Sequence, residues 1–166
     1  MTDLRIEDID PQGEQALALL REAAVDARAL YPELICADAP WPTNPPLEIG
    51  GVYVCAFLGQ APVGCGALRA LGEDTAEVLR MYVHREHRRQ GIARAVLAHL
   101  IARAQSLGYA RLVLETGCKQ SAAIALYESF GFRQIPPFSE YENDPTSVCY
   151  QLQLGAREPD RHDTNR

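Results

Sequence analysis

Between His84 and Arg94 the chain reads HREHRRQGIAR, and four arginines (Arg85, Arg88, Arg89, Arg94) stand there against one glutamate, Glu86. The chain as a whole carries a formal charge of −6. A local excess of guanidinium groups against an acidic background is the pattern of an anion site, with phosphate as its natural occupant. Gly91-Ile92-Ala93 follows the arginines and opens a helix-like run. The first amides of a helix lack intrahelical acceptors and lie at the positive end of its dipole. Small residues at Gly91 and Ala93 let an anion come close to that backbone.

A second set of candidate residues is acidic and aromatic. Pro136 to Pro145 reads PPFSEYENDP, placing Glu140, Glu142 and Asp144 beside Phe138 and Tyr141. The proline-rich stretch Tyr31 to Gly51 adds Tyr31, Glu33, Asp38 and Trp41. Carboxylates next to aromatic faces can hold an amine by charge and cation–π attraction. Five scattered cysteines (Cys36, Cys55, Cys65, Cys118, Cys149) show no metal-ligand spacing, so no metal site is expected. His84 and His87 read as surface residues flanking the basic turn.

These residues need elements to position them. Leu4 to Ile9 alternates as a strand, Asp10-Pro11 offers a helix cap and first position, and Gln12 to Leu30 has helical spacing up to Pro32. Val52–Leu58 and Val63–Leu71 read as hairpin strands around Gly59 to Pro62. Ala76 to Val83 reads as a strand with Glu77, Leu79, Met81 and Val83 on one face and Val78, Arg80 and Tyr82 on the other. A helix from about Gly91 to Leu107 ends at Gly108, and Arg111 to Glu115 is a short buried-type strand. Ser121 to Phe130 is a helix ended by Gly131, and Val148 to Leu154 is a last strand. The alternation of strand and helix predicts an α/β fold.

With 166 residues, 18.3 kDa and 47% apolar residues, the chain has the material for one domain, expected over residues 1–154. The polar stretch 155–166 is expected to be disordered. The acidic balance argues against nucleic acid as a partner. No apolar run has membrane-spanning length and the charged start MTDLRIEDID is unlike a signal peptide, so no membrane partner and a reducing, cytoplasmic setting are expected.

Arg88-Arg89-Gln90-Gly91-Ile92-Ala93 resembles the Q/R-x-x-G-x-G/A signature of the GNAT family of N-acetyltransferases, and Ala123 to Phe132 (AIALYESFGF) resembles that family's A-x-x-L-Y-x-x-x-G-F element. The likeness covers roughly residues 50–154. It implies a mixed, mostly antiparallel twisted sheet of six to seven strands flanked by about four helices. It also implies acetyl-CoA as co-substrate, with its pyrophosphate on Arg88, Arg89, Gln90, Gly91, Ile92, Ala93 and Arg94. Gln120 stands where family members often carry an asparagine that touches the cofactor arm.

The activity implied is direct transfer of acetyl to a primary amine of a small molecule or peptide. A lysine-like ammonium with pKa ~10.4 presents roughly one free amine in 2,500 at pH 7, a penalty of about 4.6 kcal/mol. The resemblance assigns the base to Glu77, eleven residues before Arg88, as in the family's histone acetyltransferases; Glu115 is a second candidate. Backbone N–H groups of Met81, Tyr82 and Val83 would face the thioester oxygen, and Tyr127 would protonate the departing thiolate. An acyl-CoA sensor without turnover, an O-acetyltransferase and a transferase of longer acyl groups fit the same residues. Family members are often dimeric, and the sequence leaves the oligomeric state open.

Overall fold

Short alternating or apolar runs separated by glycine turns build most of the sheet, and two amphipathic helices cover its faces. The computed structural model describes residues 3–155. Its elements in chain order are β1 (Leu4–Asp8), α1 (Glu14–Leu30), β2 (Val52–Leu58), β3 (Ala61–Ala70), β4 (Thr75–Val83), α2 (Ile92–Ser106), β5 (Arg111–Gly117), α3 (Ser121–Ser129), β6 (Arg133–Ile135) and β7 (Ser147–Gln153). Two single-turn 3₁₀ segments, Arg85–His87 and Ser139–Tyr141, join the three α-helices. The expected disordered stretch lies, apart from Gly155, outside the described residues.

The strands form one sheet in the order β1-β2-β3-β4-β5-β7-β6. All neighbours are antiparallel except β4 and β5, which run parallel because α2 carries the chain across between them. Val96, Leu97, Leu100 and Ala104 of α2 pack on Val54, Val78, Leu112 and Leu114, joined by Tyr127 and Phe132. Ala16 and Leu19 of α1 cover Tyr53, Cys55, Phe57, Cys65 and Ala67 on the opposite face.

Two sequence expectations need correction. Asp10 does not cap α1. Its carboxylate accepts the Gln12 N–H at 2.9 Å and its carbonyl the Gly13 N–H at 3.0 Å, so residues 10–13 form a turn and α1 starts at Glu14 after Gly13. Asp-Pro serves a turn as readily as a helix start. The faces of β4 are also not those of a simple two-residue period. Cys65 pairs with Tyr82 but Ala67 pairs with Leu79, so Arg80 and Met81 together oppose the single residue Gly66. This is a β-bulge, and Arg80 takes a positive φ of 58° within it. Beyond the bulge the faces exchange. Met81 and Val83 join Val78 on the α2 side, while Tyr82 joins Leu79 on the α1 side.

Gly66 completes this arrangement. A Cβ there would come within 2.8 Å of Val96 Cγ1 and 2.9 Å of both Leu100 Cδ1 and Met81 Sδ, so its bare backbone is what lets α2 seat against the bulge. Gly66→Ala is therefore expected to cost ~2 kcal/mol through overpacking, measured as a lower urea midpoint at unchanged slope.

Candidate active site

Pairing between β4 and β5 stops at Val78 and Leu114. Past that point β4 still pairs with β3 through Val83, and β5 still pairs with β7 through Gly117. The two strands therefore part, and their facing edges, Leu79–Val83 and Glu115–Gly117, have no partner strand. An extended chain with amide groups could enter such a gap by strand-like pairing. Met81, Tyr82 and Val83, the expected contacts to the thioester, lie along one lip.

The C-terminal half of α1 ties down both lips. Asp26 accepts hydrogen bonds from Tyr82 (3.1 Å), Arg85 (3.2 Å) and Arg88 (2.8 Å) at the end of β4. At the end of β5, Tyr31 lies across Gly117, where any Cβ would overlap its hydroxyl, and that hydroxyl accepts the Lys119 N–H at 3.1 Å. Lys119 Nζ in turn meets Glu33 at 3.2 Å. Tyr31 and Glu33, expected to read an acceptor, thus fasten the end of α1 to the end of β5.

The basic turn leads from the β4 lip into α2. Arg89 (φ 63°) and Gly91 (φ 77°) are both left-handed, and Gly91 is the helix N-cap. No side chain caps α2 and its first turn holds no acid, so the amides of Ile92, Ala93 and Arg94 are left for an external acceptor. Open space surrounds Gly91. Arg89 and Gln90 are exposed beside it. Two of the expected anion ligands are otherwise engaged. Arg88 Nε donates to the Val83 carbonyl at 3.2 Å besides its bond to Asp26, and Arg94 reaches Ser129 Oγ at 3.0 Å and stacks on Phe130. Gln120 is exposed at the N-cap of α3. His84, Glu86 and His87 bring their ligating atoms within 4.8 Å of one another, the one cluster of metal-ligand type among the described residues.

Tyr127 is buried on α3 with its ring edge-on to Phe132 at 5.7 Å. Burial first, and the charge of Glu115 second, push its phenol well above the ordinary value, so it stays protonated at neutral pH. Glu77 is only 1% exposed. Arg69 Nη2 donates to both of its oxygens at 3.0 Å, and the Tyr141 hydroxyl stands 3.5 Å from each. Burial nevertheless outweighs Arg69 and raises the Glu77 carboxyl above its usual range. Glu115 is raised as well, by burial, although Ser147 Oγ donates to it at 2.9 Å.

A cavity of about 300 Å³ lies on the α1 face of the sheet beside the bulge. Asn44, Tyr53, Arg69, Leu79, Arg80 and Tyr141 are among its walls. Of the residues expected to meet an acceptor, Glu140 and Tyr141 line it, with Phe138 edge-on to Tyr141 at 5.3 Å. Asp144 instead caps Thr146, and Trp41 sits between Arg21 and Arg28 against a separate cavity of about 370 Å³. Sequence reading missed Asp26, Asn44, Arg69 and Arg80. An arginine inside a strand run was the one signal available for the last two.

A family model described as the acetyltransferase (GNAT) family matches residues 16–132. An uncharacterized N-acetyltransferase of Bacillus subtilis, YsnE, is 45% identical over 101 residues, 60% of this chain and 67% of that one. Other curated relatives are matched over 34% and 61% of their own length. A crystal structure from Klebsiella pneumoniae, described as an acyl-CoA N-acyltransferase, superposes with a TM-score of 0.76 at 32% identity, covering 93% of this chain and all of that one. A GNAT family acetyltransferase from Elizabethkingia anophelis with acetyl-CoA bound shares the fold at TM-score 0.68 and 19% identity, over 93% of this chain and 100% of the other.

The raised carboxyl of Glu77 fixes the sign of its pH linkage. A neutral form favoured by the fold stabilises it below the ordinary carboxylate pKa of about 4.3, and that contribution is lost as pH rises through the raised value. Glu77→Gln, of the same shape but uncharged, is therefore expected to gain stability relative to wild type as pH rises above about 4.3 toward the raised value. Urea unfolding at fixed ionic strength measures this, and a difference that stays flat with pH would count against it.

Proposed function

The chain belongs to the acetyltransferase (GNAT) family, and we propose that it moves the acetyl group of acetyl-CoA directly to a primary amine held with it in a ternary complex. The observation that carries this reading is the continuity of the parted β4–β5 edges with the uncapped start of α2. A pantetheine arm would pair with the strand edges while its pyrophosphate meets the amides of Ile92, Ala93 and Arg94 beside Arg89 and Gln90. Arg88 acts from further back, by holding the turn to Val83 and Asp26.

The amine would approach from the cavity on the α1 face. It must first lose a proton, and Glu77, closed off behind Arg69, takes that proton by way of the Tyr141 hydroxyl, which fronts the cavity. The free amine forms its C–N bond to the thioester carbon as the C–S bond breaks, and the second proton shed by its nitrogen makes good the one that Tyr127 gives to the thiolate. Charge building on the thioester oxygen falls beside the backbone of Met81 to Val83. Tyr127 gives a proton or a hydrogen bond to the departing thiolate. The products are the acetylated amine and free coenzyme A.

Calorimetric titration with acetyl-CoA tests the donor site. Binding in the micromolar range, about −8 kcal/mol, is expected for wild type and its loss for Gly91→Trp, which puts a bulky ring at the start of α2 and strains a backbone held at φ 77°. Arg88→Ala weakens binding less, since Arg88 already spends its donors on protein acceptors. Tyr127→Phe is expected to keep acetyl-CoA binding and slow thiol release about 100-fold. Binding without thiol release from wild type, over a broad amine screen, would show a sensor rather than an enzyme.

A further inference from the structure

Arg80 is held in an unusual way. It sits in the bulge at a φ of 58°, a left-handed conformation that costs an arginine about 1 kcal/mol and persists where surrounding structure imposes it. Its Nε donates to Asn44 Oδ1 at 2.9 Å. Asn44 is itself 5% exposed, and its Nδ2 donates to the Pro11 carbonyl at 2.7 Å and to the Tyr53 hydroxyl at 3.2 Å. A carbonyl can only accept, so the amide cannot flip, and its oxygen has to face Arg80. The guanidinium is thus fixed by a neutral, buried partner through Nε alone. Among the described residues Nη1 and Nη2 make no hydrogen bond, and no carboxylate forms an ion pair with Arg80, which is exposed.

The other guanidinium of the cavity is different. Arg69 already meets Glu77 at 3.0 Å and lies 3.9 Å from Glu140. Arg80 is therefore the cation in the cavity wall whose forked donors are free. Such a fork matches a carboxylate with two parallel hydrogen bonds. Glu140 and Tyr141 line the same cavity, and the Tyr141 hydroxyl stands 3.5 Å from each Glu77 oxygen, so acidic groups border the space that a cationic group would enter. About 300 Å³ is room for a small molecule.

Resting on the acetyl-transfer reading, we infer that the acceptor is a small amine that also carries a carboxylate, the amino-acid class, and that Arg80 is the residue that selects it. The carboxylate pairs with Nη1 and Nη2 of Arg80 while the amine points toward Tyr141 and the gap between β4 and β5. Asn44 is the positioning residue that aims the fork.

Thiol release from acetyl-CoA, measured with free amino acids and with the amines left by removing their carboxylate, tests this. Wild type is expected to favour the amino acid at least 10-fold in kcat/KM. Arg80→Gln should lower kcat/KM for the amino acid by about 10- to 100-fold, mostly through KM, and bring the ratio near one. Arg80→Lys should fall between. Acetyl-CoA affinity, read by calorimetry, should be retained in both variants and reports that they fold. A wild-type preference for the decarboxylated amine, an equal loss on both substrates in Arg80→Gln, or turnover of peptide amines alone would overturn the amino-acid class and leave acetyl transfer standing. Absence of acetyl-CoA binding by wild type would instead sink the donor reading and this one with it.

Discussion

One extra residue in β4 governs the site. Because Arg80 and Met81 share a single opposite residue on β3, the strand turns away from β5 just after Val78, the last position at which the two pair. Without the bulge, the ladder could continue toward Val83 and Gly117 and seal the gap. The same irregularity swaps the faces of β4, sending Met81 to the α2 core and bringing Arg80 to the cavity wall. The gap between β4 and β5 and the cavity on the α1 face are consequences of one backbone event.

An opened sheet has unpaired edges and needs restraint. Here α1 supplies it from the opposite face, with Asp26 on one lip and Tyr31 on the other. The bulge opens the gap, and α1 with Tyr31 at its end holds the two lips apart at a fixed separation. Gly66 and Gly117 permit this closeness, the first to α2 and the second to Tyr31. Asp26 also spends its charge on Arg85 and Arg88, so part of the basic turn is neutralised from within, and in the proposed donor site the α2 amides would carry more of the anion binding. Local positive charge in this acidic protein therefore does two jobs: it anchors the turn and it flanks the helix start.

What could be read from sequence divides along the same line. The basic turn, its glycine and the helix after it are contiguous, so charge and spacing sufficed to find them, and the family resemblance rests on the same segment. Tyr127 followed from that resemblance. Of the cavity, sequence singled out Glu140 and Tyr141 alone, because Asn44 and the β3–β4 hairpin that carries Arg69 and Arg80 meet the 136–145 segment only after the sheet forms. The faces of β4 were misjudged past Leu79 for a definite reason. A bulge leaves composition unchanged while shifting the two-residue period by one. Proline content marked 31–51 as irregular, but could not show that its start straps β5 while its later part, at Asn44, aims Arg80.

Glu77 illustrates how burial and chemistry constrain each other here. A carboxylate with 1% exposure would be costly without Arg69, yet Arg69 does not restore its ordinary acidity. The result is a group with enhanced proton affinity, kept from bulk water and linked to the cavity through one phenol, Tyr141. That phenol lies on the 3₁₀ turn Ser139–Tyr141, between β6 and β7, and Phe138 braces its ring. In the proposed reaction, proton uptake would depend on where a surface segment holds one hydroxyl, whereas donor binding would depend on backbone in the sheet and α2. The two halves of the proposed reaction would thus rest on parts of the fold with different tolerance for change. Side-chain replacement in the 136–146 segment or near Asn44 can reshape the cavity on the α1 face while leaving the bulge and the start of α2, the proposed donor site, unchanged.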